Sequence, residues 1–287
     1  FMRERIGYNL FREAGVPAPR ANHATVNING RLGLYANLEY LDNVFTQAHF
    51  GDGGMGNLFK EVWPAASPFR PSPSASYFRS GLRTNKDVAT MDRILNFSYS
   101  VAQNGETLQD YVRISHLARF ITVDRLVNHP DGPLTQYCGD FAGRRNCAPH
   151  NFYVYEESVD NRFWLIPWDL DISFAQDPAG VDTLLMVADW KDLDYPCFGV
   201  ALTNGGAPAY LPAPCDPIFR AMATHHMDAW TDAAQSVLRH PYYVNLPQTI
   251  DRYLAQIQPA LQTIGYSQAG MSTYDNIADA IRDLKTD

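Results

Sequence analysis

Residues 151–171 read NFYVYEESVDNRFWLIPWDLD, and this stretch sets the plan of the chain. Residues 151–155 and 162–168 are rich in aromatic and β-branched side chains, and ESVDN between them supplies turn residues. The segment therefore reads as an antiparallel β-hairpin. A turn centred near residue 159 or 160 sets Asn151 opposite residue 167 to 169. Directly paired side chains lie about 5 Å apart, so the Asn151 amide oxygen and the Asp169 carboxylate can address one cation. Hard oxygen donors of this kind suit Mg²⁺. Asp171 points to the same side if the strand continues, and it offers a second carboxylate. The approach from Trp164 to Trp168 is apolar, and carboxylates at its end are costly to desolvate without a cation or a basic partner. The plainer reading is that Asp169 and Asp171 cap the following loop or pair with an arginine.

Working upstream, Asp131 lies in LVNHPDG after a long helical pattern. An acid on a loop just before an Asn-bearing strand is placed to orient or deprotonate a hydroxyl. Pro130-Asp131-Gly132 is equally good β-turn chemistry. Asp131 and Asn151 are twenty residues apart, with Cys138 and Cys147 between them and Asp140 as a rival base. The four cysteines form two pairs, Cys138 with Cys147 and Cys197 with Cys215, each spanning a Gly/Pro-rich loop. No CxxC spacing or neighbouring histidine pair suggests zinc. Two loop-closing disulfides in an oxidising compartment are expected, against the alternative of four reduced thiols.

The rest of the chain predicts an α+β architecture with two lobes. Residues 2–14 place Met2, Ile6, Leu10 and Phe11 on one helical face, ended by Gly15 and Pro17. Residues 23–41 read as two strands about an Asn29-Gly30 turn. A GDGGMG loop at 51–56, a short strand from Asn57 and a Pro/Ser-rich connector at 64–76 follow. Helical patterns cover 86–102, 106–128, 217–239, 247–263 and 273–284, and 175–215 reads as a long excursion on the substrate side. The expected division is a β-rich part at 1–75 and a helical part at 76–287, together one domain. GDGGMG satisfies GxGxxG, but no helix follows it, so it is read as a flexible loop rather than a dinucleotide site. His225 and His226 diverge by about 100° on a helix and are poorly placed to share an ion.

A net charge of −8 argues against nucleic acid as the main partner. No run of about 18 apolar residues offers a membrane span. The chain opens in a helical pattern, as an excised portion would, so the lack of a signal peptide in FMRERIGY says little.

Six stretches in order, MRERIGYNLFREAGVPAPR, NINGRLGLYANLEYLDNVF, GNLFKEVW, VNHPDG, HNFYVY and IPWDLDISF, give most of residues 2–174 a resemblance to the CotH kinase family of atypical spore-coat protein kinases. The resemblance implies a protein-kinase-like fold and transfer of phosphate from ATP to protein, with Mg²⁺ or Mn²⁺. It assigns the catalytic-loop acid to Asp131, metal ligation to Asn151 and Asp169, and the second acid to Asp171. Glu39 falls where a hinge begins, Lys60 is the best remaining phosphate contact, and Glu4 or Arg3 is the expected ion-pair partner on the first helix. The Gly-rich loop and nucleotide lysine of a kinase would lie upstream of Phe1. The acceptor implied is a Ser/Thr-rich coat or surface protein, in an extracellular, cell-surface or spore-coat setting. Family members often keep the catalytic Asp and metal-binding Asn only a few residues apart. Here a disulfide closing the Cys138–Cys147 loop would let the two ends meet. The competing expectation is a surface-adhesion or coat-assembly module on the same scaffold.

Overall fold

Met2, Ile6, Leu10 and Phe11 recur at the helical interval, and helix α1 (Met2–Glu13) buries all four. The computed structural model describes residues 2–66, 72–103, 105–141, 144–174, 197, 209–211 and 213–264. After α1 come strands β1 (Ala21–Ile28) and β2 (Arg31–Leu38), helix α2 (Asn43–Phe50), strand β3 (Asn57–Lys60) and helices α3 (Ala75–Gly81), α4 (Asp92–Gln103), α5 (Leu108–Tyr111) and α6 (Ile114–Leu126). Strands β4 (Gln136–Phe141), β5 (Arg144–Ala148), β6 (Phe152–Glu156), β7 (Phe163–Pro167) and β8 (Ala209–Leu211) follow. Helices Pro217–His225, Met227–Arg239, Pro241–Val244 and Leu246–Ile264 complete an α+β chain whose sheets are small and antiparallel. No helix among the described residues is long and apolar enough to cross a membrane.

The β1–β2 hairpin turns where expected. Asn29 (φ 52°) and Gly30 (φ 83°) both take the left-handed conformation, which matches the twist of the flanking strands. The sheet that carries the site has the order β3-β6-β7. Phe59, Phe152, Val154, Phe163 and Leu165 join the main core, while Leu58, Tyr153, Tyr155 and Ile166 pack into a second cluster with Leu41 and Phe45. Burial on both faces explains why these strands read as nearly unbroken apolar runs.

Several boundaries differ from the periodic pattern, each for a tertiary reason. The helix expected from residue 86 starts at Asp92. Asn85 turns the chain first, its φ 54° and its amide donating to the Met55 and Gly56 carbonyls at 2.9 Å. The pattern over 106–128 breaks after Tyr111, where Val112 forms a parallel bridge to Phe163 of β7. The pattern over 217–239 breaks at His226, which caps one helix and precedes the next. Helix α2 begins where the Asp42 carboxylate accepts from Val44 N at 2.8 Å and Phe45 N at 3.2 Å, an N-cap visible in LDNVF. GDGGMG forms a short 3₁₀ helix, Gly51–Met55, tied to β6. The Tyr155 hydroxyl donates to Gly53 O at 2.5 Å and accepts from Gly56 N at 2.9 Å.

Cys197 and Cys215 are disulfide-bonded, with Cα atoms 5.5 Å apart. The β4–β5 register sets Cys138 opposite Cys147, and Cys147 is disulfide-bonded. The 273–284 helix and most of the 175–215 excursion lie outside the described residues, as does the side chain of Asp140.

One buried histidine carries a pH prediction. His116 Nε2 lies 3.1 Å from both Leu165 N and Leu165 O. Burial pushes this imidazole down to about 3, and Arg119 and Arg113 add to the fall against the Leu165 hydrogen bond. An unfolded histidine titrates near 6.5, so the unfolded chain binds the extra proton between these values. Stability from neutral His116 is thus complete above about pH 6.5 and is lost as pH falls toward about 3, by on the order of several kcal/mol. Urea unfolding at pH 7, 5.5 and 4 should show a shallower acid loss in His116→Phe than in the wild type. Equal slopes would remove His116 from the account.

Candidate active site

The β6–β7 register continues one step past the strands and brings Asn151 level with Trp168, whose N–H donates to Asn151 O at 3.1 Å. The chain then leaves the sheet through left-handed residues, Glu61 (φ 53°) after β3, Asn151 (φ 56°) before β6 and Asp169 (φ 54°) after β7. Non-glycine residues seldom take this conformation, and it concentrates at functional sites. The three are linked in space. Asn151 N–H donates to Glu61 Oε1 at 3.3 Å, and Glu61 N–H donates to Phe152 O at 3.2 Å.

Asp131 reaches this cluster from the end of α6. Asn151 Nδ2 donates to Asp131 Oδ2 at 2.7 Å, across a separation of twenty residues. The intervening chain folds back on itself as the β4–β5 hairpin, with Tyr137 opposite Ala148. With Nδ2 engaged by Asp131, the amide oxygen of Asn151 has no described hydrogen-bond partner.

Asp169 is held from two sides. Its N–H donates to the buried Tyr8 hydroxyl of α1 at 2.8 Å, and its carbonyl lies 3.2 Å from His129 Nε2. His129 Nδ1 in turn lies 3.2 Å from Asp124 Oδ1 on α6. Burial raises the Asp169 carboxyl above its usual range. Asp171 and Asp131 raise it further, while His129 and Lys60 oppose them. Lys60, opposite Tyr153 in the β3–β6 register, holds its Nζ 5.7 Å from the Trp168 ring centre and 5.9 Å from that of Tyr153.

Helix α1 lies across the Asp169–Asp171 segment. The buried Leu170 fits against Gly7, where an added Cβ would stand 2.8 Å from Leu170 Cδ1. Arg3 donates to the Asp171 carbonyl at 3.3 Å. Burial raises the Glu4 carboxyl, with Asp171 and Asp169 adding to the rise. Both α1 candidates therefore sit beside the acids.

Glu39 is placed elsewhere. Its carboxylate binds Arg20 at 2.5 Å and lies 3.6 Å from His49. Burial would raise this carboxyl, but the Arg20 hydrogen bonds outweigh it and hold it low. No described contact joins Glu39 to Asp131, Asn151 or Asp169. Tyr8, Glu61 and His129 were not singled out from sequence. The H-x-D spacing of His129-Pro130-Asp131 was the available signal for His129. Tyr8 and Glu61 act through backbone contacts that no spacing announces.

Tyr8→Phe tests the α1 contact. Losing the hydroxyl removes the acceptor for Asp169 N–H and should lower stability by about 1 kcal/mol. It should also slow any reaction at Asp169 by about 10-fold. Melting curves and rates on one preparation check both effects.

Among the described residues no group of three or more His, Cys, Asp or Glu side chains forms a ready-made metal cage. The donors present are an amide oxygen and mutually repelling carboxylates. That set fits a hard cation that draws its remaining ligands from water and phosphate.

An Asn151–Asp131 hydrogen bond beside a hairpin, an H-x-D loop and a helix laid across Asp169 resemble the arrangement of a kinase-like site. The profile of the CotH kinase protein family matches residues 1–196, well over half of the chain. The chain belongs to that family. Comparison with curated proteins gives no match.

Proposed function

We propose that the chain transfers the γ-phosphoryl group of ATP to hydroxyl groups of protein acceptors, with Mg²⁺ or Mn²⁺. The observation that carries this reading is the 2.7 Å hydrogen bond from Asn151 to Asp131. It joins a base candidate to a cation-ligand candidate in one side-chain contact. The acceptor oxygen bonds to the γ-phosphorus, the bond to the β–γ bridging oxygen breaks, and ADP leaves with that electron pair. The acceptor proton passes to Asp131. Asn151 and Asp169, with Asp171 adjacent, would hold the divalent cation, which supplies neutralisation of phosphate charge. Lys60 adds positive charge on the same side, and Glu39, bonded to Arg20 away from these acids, stays a candidate for the nucleotide rather than for the transfer step. Catalysis at such a site is mainly positioning and electrostatic stabilisation. The disulfides favour an oxidising, extracellular or cell-surface setting, and Ser/Thr-rich surface or coat proteins are the acceptors this reading names.

Labelled-ATP transfer to a Ser-rich protein, and to the chain itself, is the direct test. A second measurement needs no acceptor. ATP and Mg²⁺ together, at about a hundred times their Kd, should stabilise the fold by about 2.7 kcal/mol, a rise on the order of 5 °C or more. Either alone should give much less. Absence of both transfer and thermal shift would favour the adhesion or assembly scaffold instead.

A further inference from the structure

Arg5, Asn9 and Arg12 lie on a face of α1 turned roughly 150° from Gly7, which meets Leu170, at 100° per residue. They line a cleft of about 730 Å³ with β1, β2 and the helix Leu246–Ile264. Four arginines, Arg5, Arg12, Arg20 and Arg252, border it against two acids, Glu13 and Glu39. A surplus of two positive charges gathers here in a chain whose net charge is −8. Arg20 is paired with Glu39. Among the described residues, no carboxylate lies within ion-pair distance of Arg5, Arg12 or Arg252.

These guanidinium groups are held in place by neutral partners. Arg5 stacks on the Tyr253 ring at 3.7 Å and contacts His23 Nδ1 at 2.9 Å and Gln256 Oε1 at 2.8 Å, while its buried Nε has no hydrogen-bond partner. Arg252 stands over the same ring at 5.6 Å. Arg12 donates to Pro19 O at 2.6 Å and to Asn9, and Asn9 donates to the Tyr253 hydroxyl at 2.5 Å. Burial lowers Arg12 below its ordinary value, against the opposing pull of Tyr253, Tyr242, Glu13 and Glu39.

We propose that this cleft is a binding site for a phosphomonoester dianion. A phosphomonoester carries about −1.5 to −2 charges at pH 7, which balances the surplus. Its oxygens suit the planar, forked donors of arginine better than a lysine-lined surface would. The volume exceeds that of one phosphate group and leaves room for the side chain and backbone that bear it. Apart from Glu39, the cleft shares no residue with those weighed for phosphoryl transfer, so the inference stands whether or not that reading does.

The test is calorimetric titration of the whole chain with inorganic phosphate, a phosphoserine peptide and the same peptide unphosphorylated, at low and high salt. The phosphopeptide should bind, weaken steeply with salt, and lose at least 10-fold in affinity in Arg252→Gln and in Arg5→Gln. Arg252 is exposed, so its variant should keep the fold even if Arg5→Gln does not. Tighter binding of the phosphopeptide than of phosphate assigns the dianion to a phosphorylated polypeptide. Equal binding that falls in Arg252→Gln assigns it to the free ion. Asp169→Asn should bind as the wild type does, which separates this result from any failure of catalysis. The inference is overturned if the unphosphorylated peptide binds equally well, or if Arg252→Gln changes nothing.

Discussion

Asp169→Asn protein is expected to lose phosphoryl transfer by on the order of 10³-fold while folding as stably as the wild type. Asparagine is the informative replacement because Asp169 sits at φ 54°. Asn tolerates the left-handed region, whereas Ala there would add about 1–2 kcal/mol of strain. The stability half of the expectation follows from the charges. Burial, Asp171 and Asp131 all disfavour an ionised Asp169, so a neutral amide relieves repulsion without losing a described side-chain hydrogen bond. Rate and urea midpoint, measured on the same sample, separate the two effects. A rate within 10-fold of the wild type at an unchanged midpoint would dismiss Asp169 as a cation ligand.

The second large effect concerns folding. Asp216 is fully buried. Its Oδ2 accepts from Trp63 Nε1 and Gln136 Nε2, both at 2.7 Å, and its Oδ1 accepts from Ile218 N at 2.9 Å as the cap of a helix. One carboxyl thereby ties the segment after β3, the start of β4 and the helix Pro217–His225. Asp216→Ala takes this acceptor from two buried donors, at about 1–3 kcal/mol each, and a cap worth about 1 kcal/mol. The expected loss is about 3–7 kcal/mol, enough to unfold many domains of marginal stability. Denaturant unfolding of Asp216→Ala beside Asp216→Asn checks it. The amide keeps an acceptor oxygen and should recover part of the loss.

The parts legible in the sequence were those set by local spacing. Asn29-Gly30 announces its own turn, because few residue pairs tolerate two consecutive positive φ angles. Counting outward from the turn near residue 160 predicted the register of Asn151 against residues 167 to 169, and Trp168 is the residue found there. Family order named Asp131, and the structure sets it in contact with Asn151. What escaped depended on distant partners. The break at Val112 exists because Phe163 takes its backbone. Asp216 caps the helix that follows it, and nothing nearby in sequence reveals Trp63 and Gln136 on its other oxygen. Glu39 could be placed at a hinge by family order, but its pairing with Arg20, nineteen positions away, was not legible.

The hairpin between Asp131 and Asn151 has a practical use. The chain enters β4 and returns through β5 in register, so the length of chain between Phe141 and Arg144 is decoupled from the contact between Asn151 and Asp131. Loop-closure entropy rises by only about 0.6 kcal/mol for each doubling of length. A fluorophore-bearing peptide or affinity handle inserted between Phe141 and Arg144 should therefore be carried as cargo, leaving the hydrogen bond from Asn151 to Asp131 in place.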